Sequence, residues 1–198
     1  NGGTDTATVT VSVSCINDAP VAVDDEYSID EDTSLTVPAP GVLGNDSDVD
    51  EGDVLTVIGN TSPTNGSVVV NANGSFDYTP IADFNGTDTF TYFAQDAQAS
   101  NVATVTLNVA NVYDPAVAQA DSYKAVPSQI LTVPAIEGVL ANDQNPDQVA
   151  LNVVLGTNAS HGELTLNADG SLQYDPQGFA GTTSFTYQID DGTNLSAS

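Results

Sequence analysis

The chain has no tryptophan, methionine or arginine, and only one lysine (Lys124), one histidine (His161) and one cysteine (Cys15) in 198 residues. Each scarcity excludes something. Phosphate binding needs Lys or Arg to displace counterions. One lysine against 27 acidic residues, a net charge of −26, excludes nucleic acid and anionic membrane surfaces as partners. No apolar run approaches the roughly 18 residues of a membrane span, and no basic-then-apolar leader opens the sequence. With no initiator methionine, the sequence is expected to be a mature chain or a piece of a longer one. A lone cysteine cannot build an internal disulfide framework. The shortage of His, Cys and Lys also leaves no room for nucleophile–base pairs, so a non-enzymatic protein is expected. The 40% hydrophobic content still suffices for a buried core, in one or two domains. An acidic chain with no cross-links points to divalent cations for reinforcement.

What the chain has is a repeat. Gly41-Val42-Leu43-Gly44-Asn45-Asp46 returns as Gly138-Val139-Leu140-Ala141-Asn142-Asp143. Asn73-Gly74-Ser75-Phe76-Asp77-Tyr78 returns as Asp169-Gly170-Ser171-Leu172-Gln173-Tyr174, and Phe84, Gly86, Phe90 and Tyr92 return as Phe179, Gly181, Phe185 and Tyr187. The spacing is about 96 residues throughout. Ala103–Val109 closes the first full unit, and Ala7–Val13 is the same segment with no unit before it. Three parts follow: an orphan last strand in residues 1–16, a complete repeat in 17–110, and a repeat in 111–198 that lacks its final strand.

Val9, Val11 and Val13 alternate with Thr8, Thr10 and Ser12, and Val105, Leu107 and Val109 alternate with Thr104, Thr106 and Asn108. Period two in Thr and Val marks half-buried strands. Phe76/Tyr78 and Phe90/Tyr92 alternate likewise. The Asn73-Gly74 and Asp169-Gly170 pairs sit between alternating runs and supply the positive φ of hairpin turns. No window keeps a helical period. The pattern predicts an all-β protein of tandem Greek-key sandwiches, about seven strands each.

Asn17-Asp18-Ala19-Pro20-Val21-Ala22-Val23-Asp24-Asp25 resembles the junction of tandem cadherin-like and immunoglobulin-like repeats in large bacterial surface adhesins. Glu31-Asp32-Thr33, Gly41-Val42-Leu43, Asn45-Asp46-Ser47-Asp48-Val49-Asp50 and Asp88-Thr89-Phe90-Thr91-Tyr92 are similar to the rest of that repeat. The resemblance runs over the whole chain. It implies an extracellular, cell-surface Greek-key sandwich with calcium near domain junctions, and a role in extending long chains. Fold does not by itself give function.

Asn45, Asp46, Asp48, Asp50 and Asp53 place five oxygen donors within one short loop, the kind of set that calcium takes. An EF-hand is excluded, because no glutamate closes the loop and no helices flank it. A second group joins Asn17 and Asp18 to Asp24, Asp25, Glu31 and Asp32. The resemblance implies that such junction and strand-end acids from adjoining domains share calcium; the ligands expected here are Asp24, Asp25, Glu31, Asp48, Asp50 and Asp96. Plain surface charge is the competing reading. Two like charges at 4 Å repel by about 1 kcal/mol even in water, and cations relieve that repulsion. The second unit departs from this pattern. It has Pro127-Ser128 for Glu31-Asp32, and Asp143-Gln144-Asn145-Pro146-Asp147 for Asp46–Asp50. A weaker site is expected there from Asp114, Asp143 and Asp147, with Asp190 and Asp191 as further contributors.

Other features lead less far. His161 beside Gly162 reads as an exposed turn residue. Cys15 continues the parity of Val9–Val13 and reads as a small hydrophobe, with an intermolecular disulfide as the alternative. The Asn60, Asn85 and Asn194 sequons read as turns. Glycoside hydrolysis needs a cleft with an aromatic platform, which a chain without Trp supplies poorly. Tyr27, Tyr113 or Tyr123 could stack on a sugar, which keeps a carbohydrate-binding module as a third reading.

Two structural functions remain. In one the chain is a spacer in a calcium-stiffened adhesin, with neighbouring repeats as partners and any surface ligand or glycan met through other domains. In the other it is a fibre subunit that donates residues 4–14 to the open second unit of an identical molecule. Burying Ala7, Val9, Val11 and Val13 there is worth roughly 5–8 kcal/mol before ordering costs.

Overall fold

The computed structural model describes residues 2–13, 16–50 and 52–196, and it divides into two compact units, 1–110 and 111–198. Cys15 and Ser14 lie outside the described residues, as does Glu51. All regular elements among the described residues are strands or single 3-10 turns, and no helix is long and apolar enough to cross a membrane. The protein is an all-β chain of two tandem sandwiches.

In the first unit, β1 (Asp25–Asp30), β3 (Thr56–Asn60), β6 (Gly86–Gln95) and β7 (Ala103–Ala110) form one sheet in the order β1-β7-β6-β3. The other sheet, β2-β5-β4, comprises β2 (Leu35–Val37), β4 (Gly66–Val70) and β5 (Phe76–Pro80). The alternation seen in sequence is realised as burial: Ala103, Val105, Leu107 and Val109 point inward from β7, and the residues between them do not. They pack with Phe90 and Tyr92 of the neighbouring β6 and with Phe76 and Tyr78 of β5 in the facing sheet. Phe76 packs edge-on against Tyr27 and Phe90, with centroids 5.1 and 5.6 Å apart. Strand β7 is one of the two inner strands of its sheet. It pairs in parallel with β1, Asp25 opposite Val105 through Asp30 opposite Ala110, and antiparallel with β6.

The second unit repeats the smaller sheet, with β8 (Leu131–Val133), β10 (Glu163–Leu166) and β11 (Leu172–Asp175) in the order β10-β11-β8. The larger sheet is reduced to β9 (Asn152–Leu155) and β12 (Tyr187–Asp190), an antiparallel pair. Among the described residues there is no counterpart of β7. The departure from the sequence expectation goes further than one strand. Residues 121–126 (the counterpart of β1) and 181–186 (the counterpart of the first part of β6) are also unpaired as strands. The reason is the topology of the first unit, where β7 is the ladder partner of both. The fully buried cluster shrinks accordingly to Val133, Val139 and Leu172.

Candidate cation site

Three segments of the first unit converge at the end of the sandwich where the chain enters. The entry segment is clamped to the acidic loop by paired bonds, Val21 N–H to Ser47 O at 2.8 Å and Ser47 N–H to Val21 O at 3.1 Å. Asp18 N–H then donates to Asp50 Oδ2 at 2.7 Å, and Asp50 N–H to Asp48 Oδ1 at 2.8 Å. From the β6–β7 connection, Gln98 N–H donates to Asp96 Oδ1 at 2.7 Å, while the Gln98 side chain donates to Asn17 O at 2.5 Å. Asp48, Asp50 and Asp53 consequently present carboxylate oxygens all within 4.8 Å of one another. Asp48 Oδ2 and Asp96 Oδ2 are shielded from solvent and receive no hydrogen bond. The electrostatics match this crowding. Desolvation, then the charges of Asp96, Asp50 and Asp48, raise the Asp53 pKa, whereas the Gln98 backbone N–H lowers that of Asp96.

Acids that read as one group in the sequence are divided by the fold. Asp24 Oδ1 accepts from Thr104 N–H at 2.7 Å, and Asn45 donates its side-chain amide to Asp24 O at 3.0 Å. Asp46 accepts from Val23 N–H at 2.9 Å and from the Tyr92 hydroxyl at 2.9 Å. The same hydroxyl lies 2.6 Å from Val42 O, so one phenol proton faces several acceptors. Beside them Asp25 keeps a buried, unbonded Oδ2. Burial first, then the charges of Asp46 and Asp24, push its carboxyl up to about 6. These four residues form an inner brace below the acidic rim. Glu31 and Asp32 lie at the far end of β1 from Asp25. Glu31 N–H donates to Ala110 O at 2.9 Å, and Asp32 Oδ1 accepts from Asp83 N–H at 3.2 Å.

The second unit reproduces the brace and rebuilds the rim. Asp143 accepts from Gln119 N–H at 2.7 Å and from the Tyr187 hydroxyl at 3.0 Å, as Asp46 does from Val23 and Tyr92. Asp114 N–H donates to Asp147 Oδ2 at 3.0 Å, as Asp18 does to Asp50. Asn145 takes the place of Asp48 and spends its amide on Val149 O at 2.9 Å. Asp191 takes the place of Asp96, and protein donors surround it: Tyr113 O–H at 2.7 Å, Asn194 N–H at 2.8 Å and Thr193 N–H at 2.9 Å. Those bonds, the Asn194 N–H first and the Tyr113 hydroxyl second, hold its carboxyl far below the ordinary range.

Other residues are placed as follows. Tyr27 packs on Phe76, and the Tyr123 hydroxyl donates to Glu137 O at 3.1 Å. His161 is exposed and stacks on Phe179 with centroids 4.2 Å apart. Asp88, which sequence reasoning passed over as a functional group, is buried and accepts from Thr64 N–H (3.0 Å), Asn65 N–H (2.9 Å) and the Tyr78 hydroxyl (3.0 Å). Its signal was its parity: Asp88 shares the inward face of Phe90 and Tyr92.

A sandwich repeated in tandem, with acids gathered where the chain enters, defines the class as a tandem β-sandwich module. Residues 17–111 and 113–198 each match the bacterial cadherin-like domain, and the chain belongs to that family. No curated protein matches it. Among solved structures it is similar to two endo-fucoidan hydrolases of glycoside hydrolase family 107, each at 18% identity. The first alignment covers 89% of this chain and 27% of that one at a TM-score of 0.40; the second covers 90% and 33% at 0.34. The chain therefore spans about a third or less of the length of those proteins.

Proposed function

We propose that the chain is a non-enzymatic structural module of an extracellular protein. In this reading calcium at the rim of Asp48, Asp50, Asp53 and Asp96 fixes the entry segment to the first unit, and the module acts as a spacer between neighbouring repeats. The observation that carries the reading is the convergence of three carboxylates within 4.8 Å, with two shielded oxygens nearby that no donor satisfies. A hard cation suits that donor set. All its groups are oxygens, with no imidazole or thiolate to favour zinc or copper. Extracellular placement is typical of cadherin-like domains, and a calcium-rich medium suits an affinity built from surface carboxylates. The exposed, ring-stacked His161 supports the non-enzymatic reading.

Calorimetric melting in calcium and in chelator tests the proposal. Saturation at a hundred times the dissociation constant adds about 2.7 kcal/mol. On a domain of this size that moves the midpoint by roughly 10 °C or more. The first unit's transition is expected to rise by that much with calcium, and to stop responding in the Asp48→Asn/Asp53→Asn double variant. A wild-type transition indifferent to millimolar calcium overturns the reading.

A further inference from the structure

We infer that the entry segment of the second unit is locked to Asp191 by the Tyr113 hydroxyl and the Ala116 N–H without a cation, in contrast to the calcium-held entry proposed for the first unit. A carboxylate offers about four acceptor sites on its two oxygens, and protein donors occupy those of Asp191. Thr193 N–H and Asn194 N–H reach Oδ1 at 2.9 and 2.8 Å. The Tyr113 O–H and the Ala116 N–H reach Oδ2 at 2.7 and 3.4 Å. The Asn194 side-chain amide donates in turn to the Tyr113 oxygen at 3.2 Å, so a relay runs from amide to phenol to carboxylate. Asp191 is buried, at 8% exposure. Hydrogen bonds to an ionised acceptor are the strong kind, and with these four in place the carboxylate has no site left for a metal. Asp96, at the same place in the first unit, keeps a shielded Oδ2 that receives no hydrogen bond.

Coordinated changes in sequence produce the difference. Asn17 beside Asp18 is matched by Tyr113 beside Asp114, which puts a phenol where the first unit has an amide. Ala19-Pro20 is matched by Pro115-Ala116. Proline has no N–H, so its move to the earlier position creates the donor that Ala116 turns to Asp191. The rim acids thin out at the same time. Asp48 is matched by Asn145 and Asp53 by Ala150, so that of Asp48, Asp50, Asp53 and Asp96 only the last position and the second keep a carboxylate, as Asp191 and Asp147. Repulsion that a cation would relieve in the first unit is removed from the second by substitution. Beyond this point both entry segments carry the same clamp, Val21 N–H to Ser47 O at 2.8 Å and Val117 N–H to Gln144 O at 3.0 Å. Withdrawal of calcium therefore frees the entry of the first unit and leaves that of the second in place. The contrast between the units rests on the calcium reading of the first; the lock at Asp191 rests on its hydrogen bonds alone.

The test is amide hydrogen exchange of the whole chain at Val21 and Val117, in chelator and in millimolar calcium. Calcium is expected to slow Val21 by about tenfold or more and to leave Val117 within about twofold. Slowing of Val117 to the extent seen at Val21 overturns the lock. If neither amide responds, the calcium reading of the first unit falls and the lock stands. Tyr113→Phe removes one hydroxyl and keeps the ring. In chelator this variant is expected to speed Val117 exchange by about tenfold or more. Val153, whose N–H donates to Ala168 O at 2.9 Å elsewhere in the same unit, is expected to keep its rate. Unchanged exchange at Val117, or equal acceleration at Val153, overturns the lock.

Discussion

A carboxylate on the inward face of a strand has to be satisfied by the protein around it, and Asp88 is. Two backbone N–H groups of the 64–65 turn and the Tyr78 hydroxyl all donate to it, so one side chain fixes a loop, a strand end and a phenol. Asp88→Ala leaves those donors buried without an acceptor and is expected to cost the first unit about 3 kcal/mol, measurable as a lower urea midpoint. Among the described residues the side chain of the corresponding Thr183 bonds to one hydroxyl, that of Ser160 at 3.2 Å, and Thr183→Ala should cost under about 1 kcal/mol. Asp25 behaves in the opposite way. Its carboxyl sits near 6 in the fold against 3.8 in a free chain, so the folded state takes up the additional proton. A raised folded pKa means that stability from this group grows as pH falls from above 6 toward 4 and is missing above 6. Asn carries no charge to desolvate. In chelator, Asp25→Asn is therefore expected to raise the first unit's melting temperature at pH 7.5 and to remove the gain that the wild type shows at pH 5. A lower melting temperature at pH 7.5 would refute the assignment of this charge as a burden on the fold.

At the scale of elements, the hairpins were legible because their information is local. Gly74 adopts φ 83° and sends its carbonyl to Val42 N–H at 3.0 Å, which pulls the β4–β5 turn onto the 3-10 turn at Gly41–Leu43. A Cβ on Gly74 would meet Pro40 O at 1.9 Å, whereas one on Gly170 meets the flexible Leu140 side chain at 3.0 Å. Gly74→Ala is therefore expected to destabilise its unit by about 2–4 kcal/mol and Gly170→Ala its own by clearly less, read by parallel denaturation curves. The Thr/Val alternation placed β7 in the sequence with its inward residues correct. The state of 121–126 and 181–186 was not legible, since whether a strand pairs depends on a partner tens of residues away. The acidic site divides in the same way. The run from Asn45 to Asp53 announces itself by density, but alternation along one loop does not say which acid turns toward solvent. Asp46 faces inward because the Tyr92 hydroxyl and Val23 N–H reach it there. Asp18 and Asp96 arrive from separate segments, and only the folded chain brings them to the rim.

For the molecule as a whole, two copies of one design differ at their acidic rims. Among the described residues the first has seven strands and an acidic rim; the second has five strands, with Tyr113 and Asn194 set against its Asp191. The parallel pairing of β1 with β7 bears on a property that equilibrium measurements do not register. Tension along the polypeptide would enter the first unit at the start of β1 and leave it at the end of β7. Those two strands are neighbours running the same way, in register over six residue pairs. A pull on the ends loads that ladder in shear, so its bonds resist together instead of opening one after another like a zip. The grip between β1 and β7 therefore sets how much traction the first unit would carry before those two strands part.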